Sequence, residues 1–347
     1  MPKVSPMNVL PLTHPGKRRP RLTLLALGGT IAGKANQSTV YAGYQAAVAD
    51  ISEVLSSVPE LSGVADIQTR QLFQVASQDM ASQHLLALGK EINVLLSRPD
   101  CDGVVITQGT NTLEETSFFL NLVVRSHKPV VVTGAMRPST SLSADGPMNL
   151  YRASVVAASP QARGRGVMVV MNDQILGARD VHKTDTMTVD SFKAPLFGVM
   201  GLVADNVCHF YRSGIRCHTL DSEFDISETQ ELPKVDIVYG YQDDDRALLD
   251  ACVESGSKGV VLAGAGTAAI SARLVPAVKD AIASGVAVVR VSRSSLGLVG
   301  HNVEFDDDVY GTSSGDTLNP AKARILLMLA LTRFSSRASI QACFDRY

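Results

Sequence analysis

The stretch V-V-I-T-Q-G-T-N-T-L-E-E-T, residues 104–116, is typical of a buried strand that stops at a glycine and turns into a helix. Its apolar part is rich in β-branched residues, as strands are. Thr112 stands three residues before Glu115, which is the spacing of a helix N-cap and capping box. We therefore expect Thr110 and Asn111 at the carboxyl end of a strand, the edge at which open parallel sheets hold ligands.

A second stretch has the same design. In L-T-L-L-A-L-G-G-T-I-A-G, residues 22–33, an apolar strand is followed by two glycines and then by Thr30. In a parallel sheet the carboxyl ends of the strands lie at one edge. The sequence therefore predicts that two hydroxyls, those of Thr30 and Thr110, face one cleft.

Apolar strands alternate with helical segments through most of the chain, which is the signature of a parallel sheet covered by helices on both faces. A short strand is expected to end at Ser77 and Gln78, with Asp79 as the N-cap of the next helix. A mixed polar stretch follows, and a new series of strands begins near residue 235. We predict an α/β fold made of a flexible leader, a larger N-terminal domain, a linker and a smaller C-terminal domain, at residues 1–20, 21–212, 213–233 and 234–347.

The composition narrows the class of partner. With 45% hydrophobic residues the chain can bury a large core, and 32 basic against 34 acidic residues give no electrostatic reason to expect nucleic acid or an anionic membrane. The five cysteines form no C-x-x-C pair, so free thiols in a reducing compartment are expected. No apolar run in residues 1–20 has the length of a signal peptide, which predicts a cytoplasmic protein, or a periplasmic one if a signal was removed.

Common catalytic patterns are missing from the sequence. There is no G-x-S-x-G elbow, no Walker loop and no H-E-x-x-H, and the seven histidines lack metal-ligand spacing. The segment G-A-G-T-A-A, residues 264–269, superficially matches a dinucleotide fingerprint, but no acidic residue follows at the required distance. We therefore expect neither a metal nor a cofactor.

What remains is a site based on threonine. A neutral hydroxyl is a poor nucleophile and needs a base within hydrogen-bond reach. Lys183 could serve if burial left some of its amine neutral, Tyr44 could relay a proton, and Glu304 could polarise it. Backbone N–H groups of the glycine turns could stabilise an oxyanion. The alternative for Thr30 or Thr110 taken alone is an ordinary strand-end hydroxyl without catalytic role.

Seven segments of the sequence form a recognisable set. They are G-G-T-I-A-G (28–33), S-Q-D (77–79), T-Q-G-T-N-T-L-E-E-T (107–116), G-A-M-R-P-S-T-S-L-S-A-D-G-P-M-N-L (134–150), the lysine segment near 183, L-P-K-V-D-I-V-Y-G-Y (232–241) and L-N-P-A-K-A-R-I-L-L-M-L-A-L-T (318–332). Taken together in this order they resemble bacterial-type L-asparaginases, and the similarity covers nearly everything after the leader. The resemblance implies a two-domain α/β fold and a homotetramer, with each active site between the N-terminal domain of one subunit and the C-terminal domain of its neighbour.

The resemblance also implies roles for individual residues. Thr30 corresponds to the nucleophile that forms an acyl-enzyme, and Tyr44 to the tyrosine of a flexible loop. Thr110 and Lys183 correspond to the pair credited with water activation or oxyanion support, and Glu304 to the carboxylate of the adjacent subunit. Ser77 and Gln78 correspond to the residues that hold the α-carboxylate and α-amino ends of the substrate. The substrate-contacting positions are thus expected at Gly29, Ser77, Gln78, Gly109, Asn111, Ala135 and Thr267.

Two positions depart from the family pattern. Asn111 stands where the family has an aspartate that neutralises the substrate's α-ammonium group, and Thr267 stands where an asparagine is frequent. An asparagine can accept a hydrogen bond but cannot neutralise a charge. The leading prediction is hydrolysis of L-asparagine to L-aspartate and ammonia. The alternatives are glutamine or an amide without a free α-amino group, a weakened amide-binding homologue, and an ammonia-donating subunit of a transamidation complex.

Overall fold

The computed structural model describes residues 18–34, 37–39, 51–294 and 296–347. Tyr44 lies outside these ranges. In the described chain the strands are β1 Arg21–Ala26, β2 Asp66–Gln71, β3 Gly103–Thr107, β4 Val130–Thr133, β5 Val167–Met171, β6 Gln174–Gly177, β7 His182–Lys183, β8 Phe192–Lys193, β9 Gly201–Ala204, β10 Val207–Phe210, β11 Val235–Tyr239, β12 Gly259–Gly264, β13 Ala287–Ser292 and β14 Ser313–Ser314. The α-helices are α1 Ile51–Ser56, α2 Ser82–Ser97, α3 Leu113–Val123, α4 Gly146–Ala158, α5 Ala247–Glu254, α6 Val275–Ala283, α7 Asp307–Tyr310, α8 Pro320–Ala330 and α9 Arg337–Arg346.

The larger sheet has eight strands in the order β10-β9-β6-β5-β4-β3-β1-β2. Strands β2, β1, β3, β4 and β5 are parallel, and β6, β9 and β10 extend the sheet in antiparallel fashion. The second sheet, β11-β12-β13-β14, is parallel throughout. The predicted fold class, a larger and mostly parallel N-terminal sheet with a smaller C-terminal α/β unit, is confirmed.

Strand β3 lies inside the large sheet and is buried on both faces. Val104 and Ile106 belong to the apolar cluster that includes residues of α2 and α3, whereas Val105 belongs to the cluster that includes residues of α4. Successive side chains of a strand point to opposite faces, so an unbroken β-branched run is suited to a sheet with helices on both sides. This burial fixes the carboxyl end of β3, from which residues 108–112 emerge.

Helix α8 joins the two sheets. It packs against β11, β12 and β13 of the second sheet and also against α3 beside the first. Ile325 and Leu329 of α8 share one apolar cluster with Phe118 and Phe119 of α3. The C-terminal part of the chain therefore packs, through α8, against the helix α3 that follows the end of β3.

Three local predictions were wrong. Thr112 is at the N-cap position of α3 but makes no side-chain cap, because its hydroxyl donates to the carbonyl of Ser77 at 2.7 Å. Asp79 does not cap α2, which begins at Ser82 after Ala81. The strand expected to end at Ser77 ends at Gln71, and Ser77 begins a single 3-10 turn. For Thr112 a contact with a distant residue replaces the local cap, whereas at the start of α2 the backbone N–H of Ala81 donates to the nearby His84 ring.

Candidate active site

The turns after β1 and β3 are in close backbone contact. Gly29 has φ 88°, and a Cβ placed on it would lie 2.1 Å from the backbone nitrogen of Gly109. A Cβ on Gly109 would in turn lie 2.7 Å from the hydroxyl oxygen of Ser77. Real Cβ atoms do not approach other atoms so closely, so only glycine lets these turns meet. Thr30 and Thr110, which follow the two glycines, are both buried at this junction.

Lys183 is hydrogen-bonded to the hydroxyl of Thr110. Its Nζ donates to Thr110 Oγ1 at 2.8 Å and to Asn111 Oδ1 at 2.9 Å. The lysine lies on β7, which forms a short hairpin with β8 beside the large sheet. Burial lowers the pKa of Lys183 below its ordinary value, and the carboxylate of Glu114 opposes that shift. An amine with a lowered pKa beside a hydroxyl is better able to exchange protons with it than an ordinary lysine amine.

Ser77 and Gln78 are fixed to the same turn from a third direction. The backbone N–H of Asn111 donates to Ser77 Oγ at 3.1 Å, and the side-chain amide of Asn111 donates to Gln78 Oε1 at 3.3 Å. The hydroxyl of Thr112 ties the turn to the Ser77 carbonyl. Because these bonds join residues far apart in the chain, they hold three polar side chains in one group at the end of the sheet.

The loop after β4 closes another side of this edge. A Cβ on Gly134 would lie 2.6 Å from the carbonyl oxygen of Gln108, and Ala135 is fully buried. Asn149 donates to the carbonyl of Gly134 at 3.1 Å and to the carboxylate of Asp145 at 3.0 Å. This carboxylate also accepts two backbone N–H groups of the same loop, each at 2.9 Å. The loop is thus rigidly held, a support that the sequence alone did not indicate.

Thr267 and Glu304 come together in the C-terminal part of the chain. The Thr267 hydroxyl donates to the carboxylate of Glu304, which is exposed and has φ 58°. Beneath them, the buried Arg290 donates to the carbonyl of Ala268 at 3.0 Å and forms an ion pair with Asp307 at 2.7 Å. Within the described ranges, no hydrogen bond or ion pair joins Thr267 or Glu304 to Thr110, Asn111 or Lys183.

A group of polar side chains behind Lys183 was missed by the sequence prediction. Glu114 accepts the backbone N–H of Lys183 at 3.5 Å and the side-chain amide of Asn319 at 2.9 Å. Lys322 is fully buried, and its Nζ lies 3.8 Å from the Glu114 carboxylate. A lysine inside the apolar run of α8 was the available signal, since a charged residue rarely lies on a buried face without a partner.

The described residues also bear on metals, thiols and membranes. They contain no group of three or more His, Cys, Asp or Glu side chains that could hold a metal ion. All five cysteines are free. In the same part of the chain, no helix combines the length and apolar character that crossing a bilayer requires.

Comparison with known proteins matches two family models, one for the asparaginase N-terminal domain at residues 21–216 and one for the glutaminase/asparaginase C-terminal domain at residues 234–344. The chain is 46% identical to L-asparaginase 2 of Bacillus subtilis (strain 168), over 95% of this chain and 88% of that protein. It is 42% identical to the glutaminase-asparaginase of Pseudomonas fluorescens biotype A, over 94% of this chain and 90% of that protein. The crystal structure of a probable cytoplasmic L-asparaginase from Campylobacter jejuni superimposes with a TM-score of 0.92 at 43% identity. The match covers 95% of this chain and 100% of that chain.

Proposed function

The chain belongs to the asparaginase family of amidohydrolases, and from this we propose that it converts L-asparagine to L-aspartate and ammonia through an acyl-enzyme on Thr30. The observation that carries the proposal is the 2.8 Å hydrogen bond from Lys183 to Thr110, made on the turn that lies against Gly29. A second hydroxyl with an amine partner is thereby held beside the turn of the proposed nucleophile. Mere binding of an amide would not need this arrangement.

In the first step, the oxygen of Thr30 attacks the side-chain amide carbon of the substrate. The hydroxyl loses its proton, the carbon–nitrogen bond breaks, and the leaving nitrogen takes up a proton to depart as ammonia. The family resemblance gives Tyr44 as the group that relays this proton. Backbone N–H groups of the glycine turns at Gly29 and Gly109 are suited to bind the oxyanion that forms on the amide oxygen.

In the second step, water hydrolyses the ester. Thr110 and Lys183 are suited to remove a proton from the attacking water, because the amine pKa is lowered by burial. The ester bond to Thr30 then breaks, the hydroxyl regains a proton, and aspartate leaves. The amine returns to its starting state, so no other reactant is consumed.

The substrate's amino-acid end is proposed to lie against Ser77, Gln78 and Asn111. Glu304 and Thr267 would reach this end from a neighbouring subunit, in a homotetramer. Glu304 is exposed and Thr267 partly exposed at the surface of the C-terminal part, which supports this role, since an exposed carboxylate is available to a second copy of the chain. We also propose a cytoplasmic location, in keeping with the free thiols.

The test of the proposal is ammonia release from L-asparagine by the wild-type protein and by Thr30→Ala. Removal of a nucleophile that forms the covalent intermediate is expected to lower kcat by about 10⁴-fold or more. Mass spectrometry after incubation with an electrophilic asparagine analogue should find an adduct on the Thr30 peptide. A Thr30→Ala protein that releases ammonia at the wild-type rate would contradict the mechanism.

A second candidate uses the same chemistry on an amide without a free α-amino group. Both ends of the Asn111 side chain are already engaged, with its oxygen at Lys183 and its nitrogen at Gln78, and neither partner is a carboxylate. An α-ammonium group at this position would lack a neutralising charge from the same subunit. Turnover of succinamate or N-acyl asparagine faster than L-asparagine would favour this candidate.

Glutamine is a further candidate substrate, because one of the similar proteins is named a glutaminase-asparaginase. The same ammonia assay with L-glutamine and D-asparagine tests it. Membership in an amidohydrolase family counts against a purely binding homologue, which would give no adduct on Thr30 and only background ammonia. Co-purification of a partner protein would be needed to support the transamidation hypothesis.

A further inference from the structure

We propose that Glu114 is a positioning residue for Lys183, and that Asn319 and Lys322 of the C-terminal domain hold Glu114 in place. The proposal rests on the proposed function of Lys183. By this proposal the C-terminal domain supports the active site of its own subunit, through residues that contact Glu114 and not the substrate. This role adds to the one proposed for the domain in the neighbour's site.

The first observation is the set of contacts around the Glu114 carboxylate. One oxygen accepts the backbone N–H of Lys183 at 3.5 Å. The other oxygen accepts the side-chain amide of Asn319 at 2.9 Å and lies 3.8 Å from Lys322 Nζ. Glu114 is largely buried and comes from the first turn of α3, so its carboxylate also complements the positive end of that helix. Its position is therefore determined from three sides.

The second observation concerns the segment that carries Lys183. The buried Nζ of Lys322 donates to the backbone carbonyl of Arg179 at 2.8 Å and to that of Val181. Burial lowers the pKa of Lys322 to about 8, and the carboxylate of Glu114 opposes the shift. A cation in this position holds both the Glu114 carboxylate and the backbone of the turn that leads into β7. A buried charge without a partner destabilises the folded protein, so the contacts of Lys322 with Glu114 and with these carbonyls are needed together.

The third observation is the neutral state of His182. Burial, Lys322 and Arg179 lower the pKa of His182 to about 3, so its ring is neutral at ordinary pH. Asn319 Nδ2 lies 3.2 Å from His182 Nδ1 and can only donate, which puts the ring proton on Nε2. Asn319 thus uses one N–H for Glu114 and the other for His182. His182 Nδ1 also lies 3.8 Å from the Glu114 carboxylate, but the neutral ring brings no charge to it, so the cations that face Glu114 are Lys183 and Lys322.

The electrostatic consequence follows from the charges that surround Lys183. Glu114 is the carboxylate that raises the pKa of the Lys183 amine against the effect of burial. Replacing it by a neutral amide should lower the pKa of the amine further. The charged and titratable groups on the elements packed here are Glu114 and Glu115 on α3, Arg179 and Asp180 in the turn before β7, His182 on β7, Lys193 on β8 with its partner Asp190, Asp185 in the hairpin, and Lys322 and Arg324 on α8.

The test compares Glu114→Gln with a matched control, Glu115→Gln, which neutralises the next carboxylate on the same turn of α3. Two quantities are measured against pH: kcat/KM for ammonia release, and the rate at which trace acetic anhydride acetylates the Lys183 amine, read by mass spectrometry. In Glu114→Gln two midpoints should move to lower pH by about one unit. One is the pH at which acetylation of the Lys183 amine is half-maximal, and the other is the midpoint of that part of the pH profile of kcat/KM that follows Lys183. Glu114→Asp should restore part of the shift, and Glu115→Gln should leave both unchanged.

The labelling needs no substrate, so it separates this inference from the proposed function. If the wild-type protein hydrolyses no amide, the proposed function fails while the labelling still tests Glu114. An unmoved labelling midpoint in folded Glu114→Gln, or an equal shift in Glu115→Gln, would overturn the inference.

A second variant covers the case in which Glu114→Gln does not fold. Asn319 also caps α8, because its Oδ1 accepts the backbone N–H of Lys322. Asn319→Ser keeps a good capping residue and removes only the amide that reaches Glu114 and His182. It should move the Lys183 labelling midpoint in the same direction by a smaller amount. A midpoint equal to that of the wild-type protein would count against the C-terminal domain's role.

Discussion

The two halves of the proposed active site are built differently. In the N-terminal half, Thr30 and Thr110 are buried on turns whose backbones touch, so the geometry is set by main-chain contact. In the C-terminal half, Glu304 is exposed and is held by the hydroxyl of Thr267, above the buried ion pair of Arg290 with Asp307. The geometry of the N-terminal half depends on Gly29 and Gly109, whose lack of side chains lets the two turns touch. The geometry of the C-terminal half depends on the buried Arg290–Asp307 ion pair.

The sharpest test of this difference is a pair of glycine substitutions. Gly29→Ala places a methyl group where the Gly109 backbone lies, 2.1 Å away, at a residue with φ 88°. We expect the turn to shift and kcat to fall about 100-fold or more, since a displacement near 1 Å can have that effect. Kinetics on the best amide substrate give the result.

The matched control is Gly266→Ala in the C-terminal half. Gly266 also has positive φ, 55°, but its added methyl group would meet open space. It should lose only about 1 kcal/mol of unfolding free energy to backbone strain and keep most of its activity. Equal losses of kcat in the two variants would mean that backbone strain, and not the contact between the turns, sets the geometry.

The ion pair beneath the second half gives the next prediction. Both Arg290 and Asp307 are fully buried, and Arg290→Met leaves the Asp307 carboxylate without its cation. We expect the free energy of unfolding to fall by about 3–5 kcal/mol, as measured by urea denaturation at fixed protein concentration. Arg246→Met, which breaks exposed ion pairs with Asp250 and Asp280, should change it far less, because solvent screens exposed charges. Similar losses in the two variants would show that the buried pair is not an anchor.

The sequence predicted the N-terminal half better than the C-terminal half. The buried strand and the glycine turn around residues 104–116 were predictable because both follow from neighbouring residues. The hydroxyl of Thr112 was not, because its partner, the Ser77 carbonyl, is 35 positions away and displaces the local cap. Lys322 and Glu114 are 208 positions apart, and no local pattern pairs them.

The same reason explains the limits of the site prediction. The order of motifs predicted a set of site residues, but the hydrogen bond between Thr267 and Glu304 depends on how two loops of the second sheet fold over Arg290. The sequence alone did not show that Arg290 is buried and holds these loops through its contacts with Ala268 and Asp307. Side chains that are held by partners from another element are visible only once the elements are assembled.

The smallest expected effect concerns the boundary between the two halves, where the chain has the neutral Asn111 and the resemblance to asparaginases predicts an aspartate. Asn111→Asp keeps an oxygen within reach of Lys183, 2.9 Å from its Nζ, and adds a carboxylate. The new charge should raise the pKa of Lys183, so the kinetic limb that reports this amine should move to higher pH.

The same change should lower KM for L-asparagine by about tenfold, because a charge pair with the α-ammonium group is worth roughly 1.4 kcal/mol at a partly exposed site. Succinamate, which has no ammonium group, is the matched substrate control, and its KM should stay the same or rise. If KM for the two substrates falls equally, Asn111 does not face the ammonium group, and the charge at that end of the substrate must come from the exposed Glu304 alone.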